Sequence, residues 1–323
     1  MKISSKKLLC TVLSAFLAFS AVGCTQEKES AKEDSSKQAE TKASEETTKD
    51  QYTFDNNEYF TSIDWLQKNK DNVILIDARN DKDYAKGHIP GAINVAWQSL
   101  SDVSGKPGEK GWGTLLDVTE LSKALSEIGI KKDSKVVVYG SKSAWGEDGR
   151  IVWSLKRAGI DARMLNGGYD LWTAENLETT KDVPKVEKSD LKLTEIKPDF
   201  NITTEELKKD YDKYKVIDTR EKEEYDGATK YGEVRGGHLP KAINITFNKL
   251  YNEDGTIKSS EEIEKILEEA GIKKDDHIVT YCTAGIRSAH MAMALKNAGY
   301  ENVQNYDASF HEWAGDKSNE LEK

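Results

Sequence analysis

Val73-Ile74-Leu75-Ile76-Asp77-Ala78-Arg79 and Val216-Ile217-Asp218-Thr219-Arg220 are one phrase written twice in this chain. Each is a short β-branched run that ends in Asp-x-Arg. The residues downstream of each phrase repeat too. Tyr84 precedes Gly87-His88-Ile89-Pro90-Gly91-Ala92-Ile93-Asn94, and Tyr225 precedes Gly237-His238-Leu239-Pro240-Lys241-Ala242-Ile243-Asn244. Further on stand Val136-Val137-Val138-Tyr139 and His277-Ile278-Val279-Thr280-Tyr281. Each leads into a helical stretch that closes on Leu155-Lys156-Arg157-Ala158-Gly159 or Leu295-Lys296-Asn297-Ala298-Gly299. A period this long describes two copies of a domain, not stacked solenoid units.

The apolar runs do not alternate with polar residues, so they read as strands buried on both faces. Amphipathic stretches lie between them, with Leu121, Leu125 and Ile128 on one face and Ile263, Ile266 and Leu267 on the other copy's equivalent. Gly129 and Gly271 stand where a left-handed cap would end each helix. Strands alternating with helices predict an α/β fold of two tandem domains, each a mainly parallel sheet flanked by helices. The expected boundaries are 51–183 for the first domain and 195–318 for the second. Pro184 and the charged run Lys185–Lys192 form the linker.

The 323 residues carry a net charge of -10, with 37% hydrophobic and 32% charged residues. A basic stripe for phosphate is missing, so nucleic acid is not an expected partner. The start of the chain reads as a targeting signal. Lys2, Lys6 and Lys7 precede an apolar run from Leu8 to Val22, too short for a comfortable membrane span. Ser20-Ala21-Val22-Gly23-Cys24 resembles a bacterial lipobox, with Ala21 where Leu is usual. That resemblance implies a signal peptide at 1–23, lipidation of Cys24 and a membrane-anchored protein on the extracytoplasmic face. Residues 24–50 are so rich in Lys, Glu, Ser and Thr that they are expected to act as a disordered tether.

The three cysteines are Cys10, Cys24 and Cys282, so no disulfide framework can be read. Cys282 follows a β-run and precedes a helix expected to begin near Ser288. The loop Cys282-Thr283-Ala284-Gly285-Ile286-Arg287 would turn backbone N–H groups inward, and a helix N-terminus favours an anion there. The thiolate is that anion, so its pKa should fall and its nucleophilicity rise. Gly285 permits the tight turn and Arg287 adds positive charge. Thr283 either presents its hydroxyl to the bound atom or caps the turn. Ser288 reads as a helix-start residue. Asp218 reads as a structural partner of Arg220, which could also reach a substrate. His88 occupies the place of His238 in the copy without a thiol, so a turn-forming role is expected for both. No metal-ligand cluster and no organic cofactor are implied.

The ordered set Asp-x-Arg, Gly-His-Ile/Leu-Pro and Tyr-Cys-x-x-Gly-x-Arg resembles the rhodanese family. Its two-copy layout is similar to the thiosulfate and 3-mercaptopyruvate sulfurtransferases. Tyr306-Asp307-Ala308-Ser309-Phe310-His311-Glu312-Trp313 resembles their closing motif, and Asn166-Gly167-Gly168-Tyr169-Asp170-Leu171-Trp172 is its counterpart. The resemblance spans residues 52–316. It implies a sulfurtransferase that moves sulfane sulfur from a small anionic donor, thiosulfate or 3-mercaptopyruvate, to a thiol or cyanide through a Cys282 persulfide. It also implies that Asp307 bonds the active loop.

Two departures stand out. Gly140 aligns with Cys282, so the first copy carries no thiol, which fits the inactive first domain of the two-copy enzymes. Glu224 stands where those enzymes usually have an Arg for the donor, leaving Arg235 or Arg287 to supply the charge. The small residues Thr283 and Ala284 resemble the mercaptopyruvate type, and Arg287 resembles the single-domain rhodaneses. Two rival readings stay open. One is a Cys-dependent phosphatase or arsenate reductase, although those place five residues between Cys and Arg and this chain has four. The other is a non-catalytic surface binding module. The oligomeric state is not legible.

Overall fold

Among the described residues, ten strands make two parallel sheets of five, one in each half of the repeat. The computed structural model describes residues 58–323, so the expectations for the signal peptide, Cys24 and the tether lie outside the described residues. In the first half the strands are β1 (Phe60–Thr61), β2 (Ile74–Asp77), β3 (Ile93–Asn94), β4 (Lys135–Tyr139) and β5 (Asp161–Leu165), in the order β1-β5-β4-β2-β3. The second half repeats this with β6 (Asn201–Ile202), β7 (Tyr214–Asp218), β8 (Ile243–Asn244), β9 (His277–Tyr281) and β10 (Val303–Tyr306), ordered β6-β10-β9-β7-β8. All these pairings are parallel, which explains the unbroken apolar runs. Val136, Val137, Val138 and Tyr139 of the central β4 are fully buried.

The helices of the first half are α1 (Ile63–Asn69), α2 (Asp81–Lys86), α3 (Val118–Glu127), α4 (Glu147–Arg157) and α5 (Gly168–Ala174). Those of the second are α6 (Thr204–Lys209), α7 (Lys222–Tyr225), α8 (Ser260–Glu269), α9 (Ile286–Asn297) and α10 (Ser309–Gly315). Helices α3 and α8 end as their sequences predict. Gly129 (φ 78°) and Gly271 (φ 75°) follow their C-termini in the left-handed region, where a Cβ would be strained. At its other end α8 carries a capping box: the Ser259 hydroxyl accepts from Glu262 N–H, and the Glu262 carboxylate accepts from Ser259 N–H.

Helices α4 and α9 bring the two halves together. Gly149 of α4 lies so close to His290 of α9 that a Cβ there would sit 2.5 Å from the His290 Cα. Ile151, Val152 and Leu155 of α4 share one buried cluster with Met291, Ala292 and Leu295 of α9. Each fully buried Ile, Val, Leu or Met among them contributes roughly 1.5–3 kcal/mol relative to exposure. Helix α9 is buried from Arg287 through Leu295 without a break, and a helix with that pattern needs cover on every side. The sheet of its own half covers one side and α4 the other.

Candidate active site

Cys282 stands at the C-terminal end of β9, where ligands gather in open α/β sheets. Its side chain is 1% exposed. Three backbone contacts fix the turn after it. Cys282 N–H donates to Ser309 Oγ (3.2 Å), and the carbonyls of Cys282 and Thr283 accept from Phe310 and His311 N–H (3.0 Å each). Gly285 then takes φ 78° and serves as the N-cap of α9, which starts at Ile286, two residues earlier than expected from the sequence. The early start puts Ser288 in the first turn, with its N–H aimed back at the sulfur.

Burial alone pushes the Cys282 thiol up. The Arg287 charge and the N–H groups of Ser288 and Ala284 outweigh burial and hold the thiol below its ordinary value. The Ser288 hydroxyl itself donates to Asn305 Oδ1 (2.6 Å) and is fully buried.

Glu224 is the residue whose role the sequence concealed. Its side chain is fully buried, and its carboxylate takes both ends of the Arg287 fork, Nη1 at 2.7 Å and Nη2 at 2.8 Å. Burial would raise the Glu224 carboxyl, but Arg287 and Thr283 hold it below its usual range. Thr283 Oγ1 donates to Glu224 (2.9 Å) and accepts from Arg287 Nη2 (2.9 Å). Thr283 is thus committed to the ion pair, and neither of the two roles expected for it applies. Trp145, from the first half, lies over the Arg287 guanidinium at 4.7 Å, and Tyr231 lies at 5.9 Å. Arg235 does not supply the missing charge either. Its guanidinium is spent on the carbonyls of Trp313, Ala314, Asp316 and Asn319.

Asp218 and Arg220 build scaffold. Arg220 pairs with Asp218 through Nε (2.9 Å) and Nη2 (2.6 Å) and donates to the Gly237 carbonyl (2.7 Å). Tyr281 Oη donates to Asp218 at 2.5 Å and accepts from Leu239 N–H. Arg79, Asp77, Tyr139, Gly87 and Ile89 make the same bonds in the half without a thiol. Arg220, which the sequence left open either to pair with Asp218 or to reach a substrate, is fully buried and stacks over Phe310 at 3.9 Å. His238 stacks on Tyr225 at 3.6 Å and binds the Tyr225 carbonyl through Nδ1 (2.9 Å). His88 does the same with Tyr84.

Asp307 also departs from expectation. Its carboxylate bonds Arg150 Nη1 and the Leu115 N–H (2.8 Å), both from the first half. Arg150 then donates to the Gly285 carbonyl (3.2 Å), so Asp307 supports the active loop through Arg150 rather than directly. The fully buried Arg150 guanidinium takes the Asp307 carboxylate as its counter-charge.

In the first half, Gly140 takes the position of Cys282. A Cβ there would lie 2.9 Å from the Asp148 carboxyl carbon, so no side chain fits without movement. A cavity of about 360 Å³ opens at this loop and is lined by Gly140, Ser141, Asp148, Tyr251 and His290. It lies between that loop and second-half residues such as Phe247, Tyr251 and His290 and is not lined by Cys282, so the chemistry is argued from Cys282 and not from cavity size. Among the described residues no cluster of His, Cys, Asp and Glu is arranged for a metal ion.

The rhodanese-like domain family matches the chain twice, at residues 62–175 and 203–316. The chain belongs to the rhodanese-like family. Among its relatives, the putative thiosulfate sulfurtransferase SseA of Mycobacterium bovis is 33% identical over 277 residues, covering 79% of this chain and 88% of that protein. The sulfur carrier protein TtuD of Thermus thermophilus is 33% identical over 279 residues, covering 79% and 93%. The chain is also similar in structure to the anaerobic ergothioneine biosynthesis enzyme of Chlorobium limicola, solved with trimethyl histidine. That match has a TM-score of 0.70 at 25% identity and covers 83% of this chain, but this chain spans only 65% of that one.

Proposed function

We propose that this protein moves sulfane sulfur through a persulfide on Cys282. That it is a sulfurtransferase follows from the tandem rhodanese-like domains and from relatives named for thiosulfate sulfur transfer and sulfur carriage. The observation that carries the Cys282 reading is the buried thiol cupped by the first turn of α9 and held below its ordinary pKa. The thiolate attacks the outer sulfur of a donor such as thiosulfate or 3-mercaptopyruvate. The bond from that sulfur to the rest of the donor breaks, and its electron pair leaves with the donor remnant. A thiolate or cyanide then attacks the outer sulfur of the persulfide and releases Cys282 as a thiolate.

The phosphatase reading is weakened by Arg287. In an oxyanion cradle that guanidinium would face the substrate, but here Glu224 occupies both ends of its fork. The test is transfer of sulfur from a panel of sulfane donors to cyanide, read as thiocyanate. At least one donor is expected to turn over, with Cys282→Ser inactive. Equal turnover by Cys282→Ser would overturn the assignment.

Lipid anchoring through Cys24 is part of the same proposal and rests on residues 1–24 alone. Lipid label should enter the wild-type chain and not Cys24→Ser. Labelling of both would refute it.

A further inference from the structure

The loop that replaces the catalytic loop in the first half is longer and carries the opposite charge. Five residues separate Gly140 from Gly146, and two separate Cys282 from Gly285. Gly146 (φ 78°) caps α4 as Gly285 (φ 78°) caps α9. The second residue of α9 is Arg287, the cation beside the thiol. The second residue of α4 is Asp148. Its Oδ2 lies 3.1 Å from where a Cβ on Gly140 would stand. The carboxylate therefore borders the space that the thiol side chain fills in the other half.

Asp148 and Gly140 both line the cavity of about 360 Å³ between the halves. Asp148 Oδ1 accepts from Gly149 N–H (2.9 Å) and from His290 Nδ1 (2.9 Å). Neither bond uses Oδ2. The Tyr251 hydroxyl bonds His290 Nε2, and burial together with the Asp148 charge pushes its pKa well up, so it keeps its proton. With that hydroxyl donating to Nε2 and Nδ1 donating to Asp148, the imidazole is neutral and the carboxylate keeps its charge. Lys142, at the rim, does not cancel it: its Nζ donates to the Glu253 carbonyl (3.3 Å). Phe60, Phe247 and Tyr251 give the cavity aromatic walls. A carboxylate oxygen in such surroundings is costly unless a donor meets it, and aromatic faces attract cations.

We propose that this cavity is a second ligand site and that its ligand is a small organic cation, an ammonium group on an aromatic or other apolar body. The ammonium donates to Asp148 Oδ2 from the place a side chain on Gly140 would take. The body lies against Phe247 and Tyr251. A cavity of this volume holds one small molecule. The Tyr251–His290–Asp148 chain crosses from one half to the other and fixes the carboxylate in place. No covalent bond forms or breaks, and Cys282 takes no part, so the inference does not depend on the persulfide reading.

The test is calorimetric titration of the full chain at neutral pH with three probes of one shape: benzylamine, benzyl alcohol and benzoate. Benzylamine is protonated there and is expected to bind more tightly than benzyl alcohol by about fivefold or more, with benzoate weakest. Asp148→Asn should abolish the preference for the amine. No binding of benzylamine, a smaller preference, or a preference that survives Asp148→Asn overturns the site. Should Asp148→Asn melt early, Gly140→Ala reads the same quantity, because its methyl group takes the place of the ammonium. It should weaken benzylamine by about fivefold or more, and unchanged affinity overturns the site.

Discussion

Glu224 governs how much of the Arg287 charge reaches Cys282. Replacing its carboxylate by the neutral amide in Glu224→Gln removes a negative charge near the thiolate. The thiolate is then favoured, so the Cys282 pKa falls further. The rate of alkylation by iodoacetamide should therefore rise at a lower pH than in wild type, and an unmoved profile would contradict the pairing. Glu224→Ala leaves a buried guanidinium without its partner and should lose about 3–5 kcal/mol in urea unfolding. Cys282, Gly285 and Arg287 were legible at this scale because the loop is contiguous in sequence. The partners of Thr283 and Arg287 were not. Glu224 lies 63 residues from Arg287. The two-copy enzymes usually carry an Arg at its position, so the sequence pointed to a missing charge rather than to an ion pair.

At the scale of elements, the turn from β9 into α9 depends on one backbone conformation. Gly285 sits at φ 78°, and a Cβ on it would collide with the Asp307 carbonyl oxygen. Gly285→Ala imposes both a left-handed penalty of about 1–2 kcal/mol and a backbone clash. The first turn of α9 must shift, and its N–H groups leave the sulfur. The variant should unfold at lower urea and alkylate more slowly at neutral pH. Wild-type alkylation would show that the helix start does not tune the thiol. The strand and helix pattern was readable from the two repeated phrases, since β-branched runs and spaced leucines carry their own periodicity. The start of α9 was misplaced by two residues because a left-handed Gly can replace a polar cap.

On the scale of the whole molecule, the halves are joined where no short motif could announce it. Arg150 and Asp307 are 157 residues apart and both buried, and their ion pair ends on the Gly285 carbonyl. Arg150→Met strands the Asp307 carboxylate and should destabilise by about 3–5 kcal/mol. Adding Asp307→Leu should cost less than the sum of the two single changes, because each removes the same interaction. Strict additivity in urea unfolding would place the two residues in independent roles. The tandem layout was visible in the sequence, but the cross-half contacts of Arg150 and Trp145 depend on how two similar domains pack face to face.

The account turns on sulfur resting on Cys282. The most direct measurement is intact and peptide mass spectrometry after incubation with a sulfane donor and removal of the excess. One added sulfur atom is predicted, confined to the peptide that contains Cys282, lost on treatment with cyanide and absent from Cys282→Ser. A chain that gains no sulfur from any donor, or gains it equally in Cys282→Ser, would contradict the account.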